Sequence, residues 1–379
     1  MTLLGIRLTI LAGKTIPAPL PRSLTESIAS VKVIHSDEAR SGFQIEFQAG
    51  RDRTHFLDPP HLSNAQLKPD SRIMILVTLG VIPQVLMDGF ITDQQFSPGS
   101  SPGESTFTII GEDVSIMMDK QERTESHVAQ SADTIARKII AQYSQYGLVP
   151  LVIPPTTFDT PSPTERVPTQ QLKDLDYLRH LAKRHNYVFY VSPGPLPGAN
   201  TAYWGPPIRS GIPQPALSHN LGIHSNVESL SFRQEGLKAK KVAGKVQDRL
   251  TNTTLPVFSF KSLLPALSNS PPDIGSFFTA PQETYRAVGK TVVQAYAEAQ
   301  ATADRSTKDV VTAEGELNAL RYGGILQARS LVGVRGVGLS YSGNYAVKNV
   351  THTITRDAYK QKFTLAREGT GTTVPVVKL

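Results

Sequence analysis

The most restrictive feature of this sequence is its first 112 residues, which run strand after strand and leave no room for a long helix. Segments 5–11, 28–34, 43–47, 72–79, 85–96 and 105–110 alternate apolar and polar side chains or are rich in β-branched and aromatic residues. That is the signature of strands with one buried face. Turn signals separate them: PP at 59–60, KPD at 68–70 and SPGSSPG at 97–103. Short strands at this spacing predict an antiparallel barrel or sandwich. Asp113 then stands where it would cap a short helix over 114–118, its carboxylate accepting from free backbone N–H groups.

From 126 to 192 the period changes. Ile135, Ala136, Ile139, Ile140 and Tyr143 form one helical stripe, Gly147 closes it, and LVPLVIPP follows as a short strand. A second helix is expected over about 169–185, running directly into the strand YVFYV (187–191). Residues 193–215 hold seven prolines and four glycines, which marks a surface excursion or linker. Strands return over 227–250, residues 251–285 read as loop, an alanine-rich helix covers about 288–306, and residues 310–367 are strand-rich again. A faint echo joins the two strand regions. DGFITDQQF and STFTIIGED resemble SGNYAVKNV and QKFTLARE in spacing, with Phe90 and Phe107 set against Tyr345 and Phe363.

A length of 379 residues suggests two or three domains, and 39% hydrophobic with 19% charged residues is a globular composition. The opening MTLLGIRLTILAG has no basic segment before its apolar part and carries Arg7 within it, so it reads as a first strand and not as a secretory signal. No run approaches the length of a membrane span. The expectation is therefore a chain kept in the cytoplasm where it is made, with no membrane insertion. The absence of cysteine excludes disulfides, thiolate metal sites and cysteine nucleophiles. A net charge of +7 is modest for this length.

The motifs that carry chemistry fail one by one. Gly99, Ser100, Ser101, Pro102 and Gly103 match G-x-S-x-G, but the residue after such a serine must lend its N–H to an oxyanion hole, and proline has none. No P-loop, dinucleotide fingerprint or zinc-protease helix is present. His180 and His185 are five residues apart, about 140° around a helix, so they cannot share a metal ion there. They read as the outside of a helix. The densest basic cluster is Lys238, Lys240, Lys241 and Lys245. On a strand Lys238 and Lys240 share one face while Lys241 and Lys245 share the other, and no aromatic residues interleave them as base-stacking would require. A solvated strand surface is the plain reading, and a polyanion or channel contact the sharper one.

Three stretches together resemble the phage late-control D family, the baseplate hub proteins of contractile phage tails and related contractile injection systems. They are VLMDGFITDQQFSPGSSPGESTFTIIGEDVSIMMD (85–119), YLRHLAKRHNYVFYV (177–191) and YAVKNVTHTITRDAYKQKFTLARE (345–368). The resemblance implies an α+β, mainly β chain with two tube-like antiparallel β-barrel domains plus peripheral mixed α/β and helical domains. By position the first barrel would be 1–112 and the second 223–250 with 310–368; the peripheral α/β domain would be 113–222, the inserted loop and helix domain 251–309, and the tail 369–379. It implies a homotrimeric, pseudo-sixfold ring joining a sixfold tail tube above to a threefold central spike below, with other baseplate or wedge proteins around it. With only GTGTTVPVVKL after the last expected strand, the spike is expected to be a separate protein. The family brings no catalytic residues, metal or cofactor to carry over, and its particles assemble in the host cytoplasm. Two rivals remain from the residues alone: a tail-associated peptidoglycan hydrolase, and a polyanion-binding module built on the lysines at 238–245.

Overall fold

The computed structural model describes residues 2–3, 5–49, 60–101, 104–156, 161, 163–164, 167–248, 252–259, 261–272, 281–286 and 290–373. The chain is mainly β, and most of its strands join one fourteen-stranded sheet. The first strand region contributes β1 (Ile6–Gly13), β2 (Ile28–Ser36), β3 (Gly42–Gln48), β4 (Arg72–Leu79), β5 (Ile82–Ser97) and β6 (Thr106–Asp113). The second contributes β7 (Gln214–Ser218), β8 (Val227–Gln234), β9 (Val311–Asn318), β10 (Leu331–Arg335), β11 (Gly343–Thr355) and β12 (Tyr359–Arg367). Antiparallel pairing of β2 with β11 fuses the two regions into a single sheet. That sheet is open, and the pairing closes no barrel among the described residues.

Within this sheet one pairing scheme occurs twice, in the same chain order. The first half runs β1-β4-β5-β6-β3-β2, and the second runs β7-β10-β11-β12-β9-β8. The registers repeat as well. Ala29 is skipped between the pairs Ile28–Phe47 and Ser30–Glu46, and Glu228 is skipped between Val227–Leu317 and Ser229–Glu316. Thr92 bulges between Ile91–Gly111 and Asp93–Ile110, as Lys348 does between Val347–Leu365 and Asn349–Thr364. A bulge re-aims every later side chain of its strand, so recurrence at matched places is a property of the fold. Asp70 and Arg329, just ahead of β4 and β10, both take a positive φ, 66° and 61°. One step departs: β7 pairs β10 parallel where β1 pairs β4 antiparallel.

The alternation that marks the strands also builds the cores. Inward residues such as Ile45, Phe47, Ile75 and Phe107 fill the first half, and Val311, Leu317, Tyr345 and Leu365 the second. A peripheral unit lies between β6 and β7 in sequence. Its sheet, Leu148–Val152, Asn200–Gly205 and Val188–Pro193, packs with helices Ala132–Ala141 and Asp174–Arg184 around Ile139, Leu178 and Trp204. As expected, Asp113 caps the short helical segment Val114–Asp119, accepting from the Ser115 N–H at 2.8 Å.

Four expectations need correction. Residues 193–215 are not a surface excursion throughout: Asn200–Gly205 is the middle strand of the peripheral sheet, with Ala202 and Trp204 buried in its core, because the prolines and glycines fall on either side of an apolar stretch. The stretch 251–285, read as loop, holds the strands Thr254–Ser259 and Gln282–Arg286. The helix expected over 169–185 begins only at Asp174, because Thr169–Lys173 is a strand paired with Glu122–Ser126. Gln170 is drawn inward there to reach the buried Asp174 carboxylate at 2.6 Å, a contact that helical pattern-reading does not register. The strands expected over 227–250, assigned with 223–250 to the second barrel, lie in two different sheets. Only β8 joins the large one. Lys241–Gln247 pairs with Thr254–Ser259 and Gln282–Arg286 in a small sheet covered by helix Val292–Thr307. Ala295, Ala299 and Ala303 lie one turn apart along that helix and pack against Val242, Val246 and Val257; methyl-sized side chains at helical spacing let helix and sheet approach closely.

Candidate functional site

Among the described residues a densely hydrogen-bonded junction forms where the two halves and the peripheral unit meet. Arg329 enters it from the second half. Its guanidinium donates to the Ser36 carbonyl at 3.0 and 2.6 Å and to the Ser41 hydroxyl at 2.7 Å, both in the first half. It also donates to the Val191 carbonyl and the Ser192 hydroxyl, each at 2.8 Å, in the peripheral unit. The same group lies 4.1 Å from the centre of the Tyr190 ring. A planar fork of five donors suits such a node, where lysine would offer one point charge.

Ion pairs extend the junction. Glu38, just after β2, takes Lys308 at 2.7 Å and the bulged Lys348 at 3.2 Å, while Lys348 also reaches Asp309 at 2.6 Å. Burial would raise the Glu38 carboxyl, but Lys308 and Lys348 pull it down to about 2. Burial pushes neighbouring Asp37 up to about 6, against the pull of Lys348. His35 and His352 meet edge to face at 5.4 Å across β2 and β11, and the His352 Nδ1 shares a hydrogen bond with the Tyr359 hydroxyl at 2.8 Å. These groups hold the halves in one register, and none has the geometry of an acid and base around a reacting atom.

The sheet face turned away from the two cores is mainly polar across the junction, with Ile34 an exposed apolar residue beside Thr351. Its rungs read Ser30 beside Glu46, Lys32 beside Gln44 and beside Thr353, Thr353 beside Lys360, and Thr351 beside Lys362. Lys362 then faces Glu316, and Glu314 faces Ser231. Opposite charges are interleaved: Lys360 bridges Glu228 at 2.9 Å and Glu316 at 3.1 Å. Being exposed, such pairs add little stability, but they make a wall with no sticky patch of one sign. The alternating polar letters in VKVIHS and KQKFTLAR carried this signal in the sequence, whereas strand order did not.

The residues singled out from sequence do not come together. Lys238 reaches Glu235 at 3.8 Å, Lys240 reaches Glu283 at 3.3 Å, Lys241 is buried, and Lys245 stands exposed beside Arg286 on the neighbouring strand. His180 sits on the outer side of its helix near Arg184 and Glu298, and His185 meets the edge of Trp204 at 6.2 Å. Ser101 lies in the exposed connection between β5 and β6, where its N–H is held by Glu104 at 3.1 Å. Pro102 and Gly103 of that motif lie outside the described residues. Among the described residues no three histidine or carboxylate side chains gather as metal ligands, and no helix is long and apolar enough to cross a membrane.

No family model matches the sequence, and no curated protein does. Solved structures do. A tail protein from Neisseria meningitidis aligns over 96% of this chain and 97% of its own, with a TM-score of 0.64 at 12% identity. The 43 kDa tail protein of prophage MuSo2 from Shewanella oneidensis aligns over 96% and 98%, with a TM-score of 0.63 at 13% identity. A type VI secretion component from E. coli aligns over 90% and 73%, with a TM-score of 0.53 at 12% identity. At such identities the likeness is one of fold, and it extends along almost the whole chain. This chain therefore has the fold of phage tail proteins and of their type VI secretion counterpart, the group to which its sequence resemblance points.

Proposed function

We propose that this chain is the structural hub of a contractile-tail baseplate. Three copies form a pseudo-sixfold ring that joins a sixfold tail tube to a threefold spike, and wedge proteins surround it. The observation that carries this reading is the repeated half-sheet. Each chain holds the same six-strand arrangement twice, with matching bulges, so three chains present six equivalent units to a sixfold partner while remaining threefold themselves. The two halves are then the two tube-like barrel domains, each completed by neighbours in the ring. The polar rungs face the channel, where a charge-interleaved wall lets cargo pass without adhering. Such a ring does no chemistry, and it reaches its place by assembly into a particle in the host cytoplasm.

The likeness to tail proteins supports a structural role over a peptidoglycan hydrolase. The pairing of Lys238 and Lys240 with carboxylates counts against the polyanion reading. The test is native mass spectrometry of the 41.2 kDa chain, alone and co-expressed with a candidate spike protein. A trimer is expected, gaining three spike chains when the spike is present. A strict monomer in both samples, with the spike folded, overturns the reading.

A further inference from the structure

Two of the open strand edges of the large sheet, on β8 and on β5, have no neighbour among the described residues, and the internal repeat relates each of them to an edge that is filled. β2 pairs β3 on one side and β11 on the other, whereas its counterpart β8 pairs only β9. β11 pairs β10 along its first residues and β2 along 349–355. Its counterpart β5 pairs β4 up to Phe90 and leaves 93–97 open on that side. Exposure follows the same division. Val31 and Val33 of β2 are fully buried, while Leu230 and Phe232 at the matching places of β8 are only half-buried. All five residues from Asp93 to Ser97 are exposed.

Resting on the trimer reading, we propose that β8 of one copy pairs antiparallel with residues 93–97 of the next, in the register of the internal β2–β11 junction. The internal pairs Thr351–Ile34, His352–Val33 and Thr353–Lys32 supply that register. Carried through the repeat, they set Gln95 opposite Arg233, Phe96 opposite Phe232 and Ser97 opposite Ser231. The chemistry of the two edges fits. Phe96 meets Phe232 on the core-facing side, where Phe232 already stacks on Tyr341 at 4.8 Å, and an aromatic cross-strand pair is among the favourable ones. On the polar side Asp93 lies diagonal to Arg233, opposite in charge, and stands across from Glu235, whose carboxylate Arg233 and Lys238 already pair at 3.4 and 3.8 Å. The bare N–H and C=O groups of both edges are paired, which removes an otherwise open template for unwanted strand addition. A second copy is the occupant because the two open edges are the complementary halves of a junction the chain already makes once. Such a head-to-tail contact closes into a ring when its rotation permits.

The absence of native cysteine makes the test direct. Gln95→Cys and Arg233→Cys are combined in one chain, with Gln95→Cys plus Ser229→Cys as the slipped control. Ile34→Cys plus Thr351→Cys serves as the internal reference, and oxidation is followed on non-reducing gels. The internal reference is expected to give a bridged monomer. The first pair is expected to give bridged dimers and trimers about tenfold faster than the slipped control, since a disulfide tolerates little error in Cβ separation. A native trimer that bridges no faster than the slipped control overturns this register while leaving the trimer standing. A monomer that does not bridge overturns both.

Discussion

At the scale of single residues, the junction depends on polar groups that sequence patterns treat as surface. Arg329 and Asp70 occupy the same left-handed backbone position in the two halves, yet Arg329 is half-buried among carbonyls while Asp70 makes an exposed pair with Lys120 at 2.9 Å. The histidine pair gives this junction a pH dependence. Burial, and then Arg329, push His35 down to about 3, and burial with His35 beside it holds His352 well below an ordinary imidazole. The unfolded chain protonates both near pH 6.5, while the fold keeps them neutral. The stability they contribute is therefore full above that pH and is lost as pH falls through the window below it, by about 1.4 kcal/mol per pH unit for each histidine. Asp37, raised to about 6, acts in the opposite sense, because the fold protonates it first as pH falls. Comparing variants in one assay cancels that contribution. Urea unfolding at pH 7 and pH 5 is expected to show a smaller acid loss in His352→Gln than in the parent chain. Identical losses would place the acid sensitivity elsewhere.

At the scale of elements, the two halves keep one backbone plan with exchanged side chains. Phe43 faces Gly111 in the first half, and at the matching place Ala313 faces Leu365. Ile45 faces Ile109, and at its counterpart Gly315 faces Phe363. The bulk crosses from one strand to its neighbour while the space between them stays filled, the condition a close-packed core imposes. For this reason the echo is legible as two hairpins and not as residue pairs. By register the counterpart of Phe90 is Ala346, not Tyr345, and that of Phe107 is Gln361, not Phe363. Gly111 has no room for exchange: an added Cβ would lie 2.3 Å from both the Phe43 ring and the Phe90 carbonyl. Gly111→Ala is expected to cost about 2 kcal/mol in urea unfolding, as overpacking does. Adding Phe43→Leu is expected to recover only part of it, since the carbonyl stays. Full recovery would show that the ring alone sets the limit.

At the scale of the whole molecule, a buried charge cluster is one of the contacts that fasten the peripheral unit to the first half. Asp88 receives two hydrogen bonds from Arg72, at 2.7 and 2.8 Å, and one from the Asn200 amide at 2.9 Å, while Arg72 also donates to the Tyr146 carbonyl at 2.9 Å. Removing one partner of a buried pair is costly because the other charge is stranded. Asp88→Ala is expected to weaken this docking by about 3 kcal/mol. Hydrogen exchange is expected to rise in Leu148–Val152 and Asn200–Gly205 before it rises in β3 or β6. A uniform rise would mean the chain opens as one body. Much of this organisation was readable in the letters. The strand-rich ends, the helix running into a strand at 177–191 and the poverty of catalytic motifs follow from local periodicity and from which residue types are present at all. The sequence by itself thus determined most of the elements and the absence of cysteine chemistry. Strand order, the fusion of β2 with β11, the matched bulges and the transfer of Lys241–Gln247 to another sheet were decided only in three dimensions. The physical reason is that a strand's period states which face is buried and says nothing of which neighbour buries it. Partners are chosen by long-range packing, where a glycine on one strand answers a phenylalanine on the next.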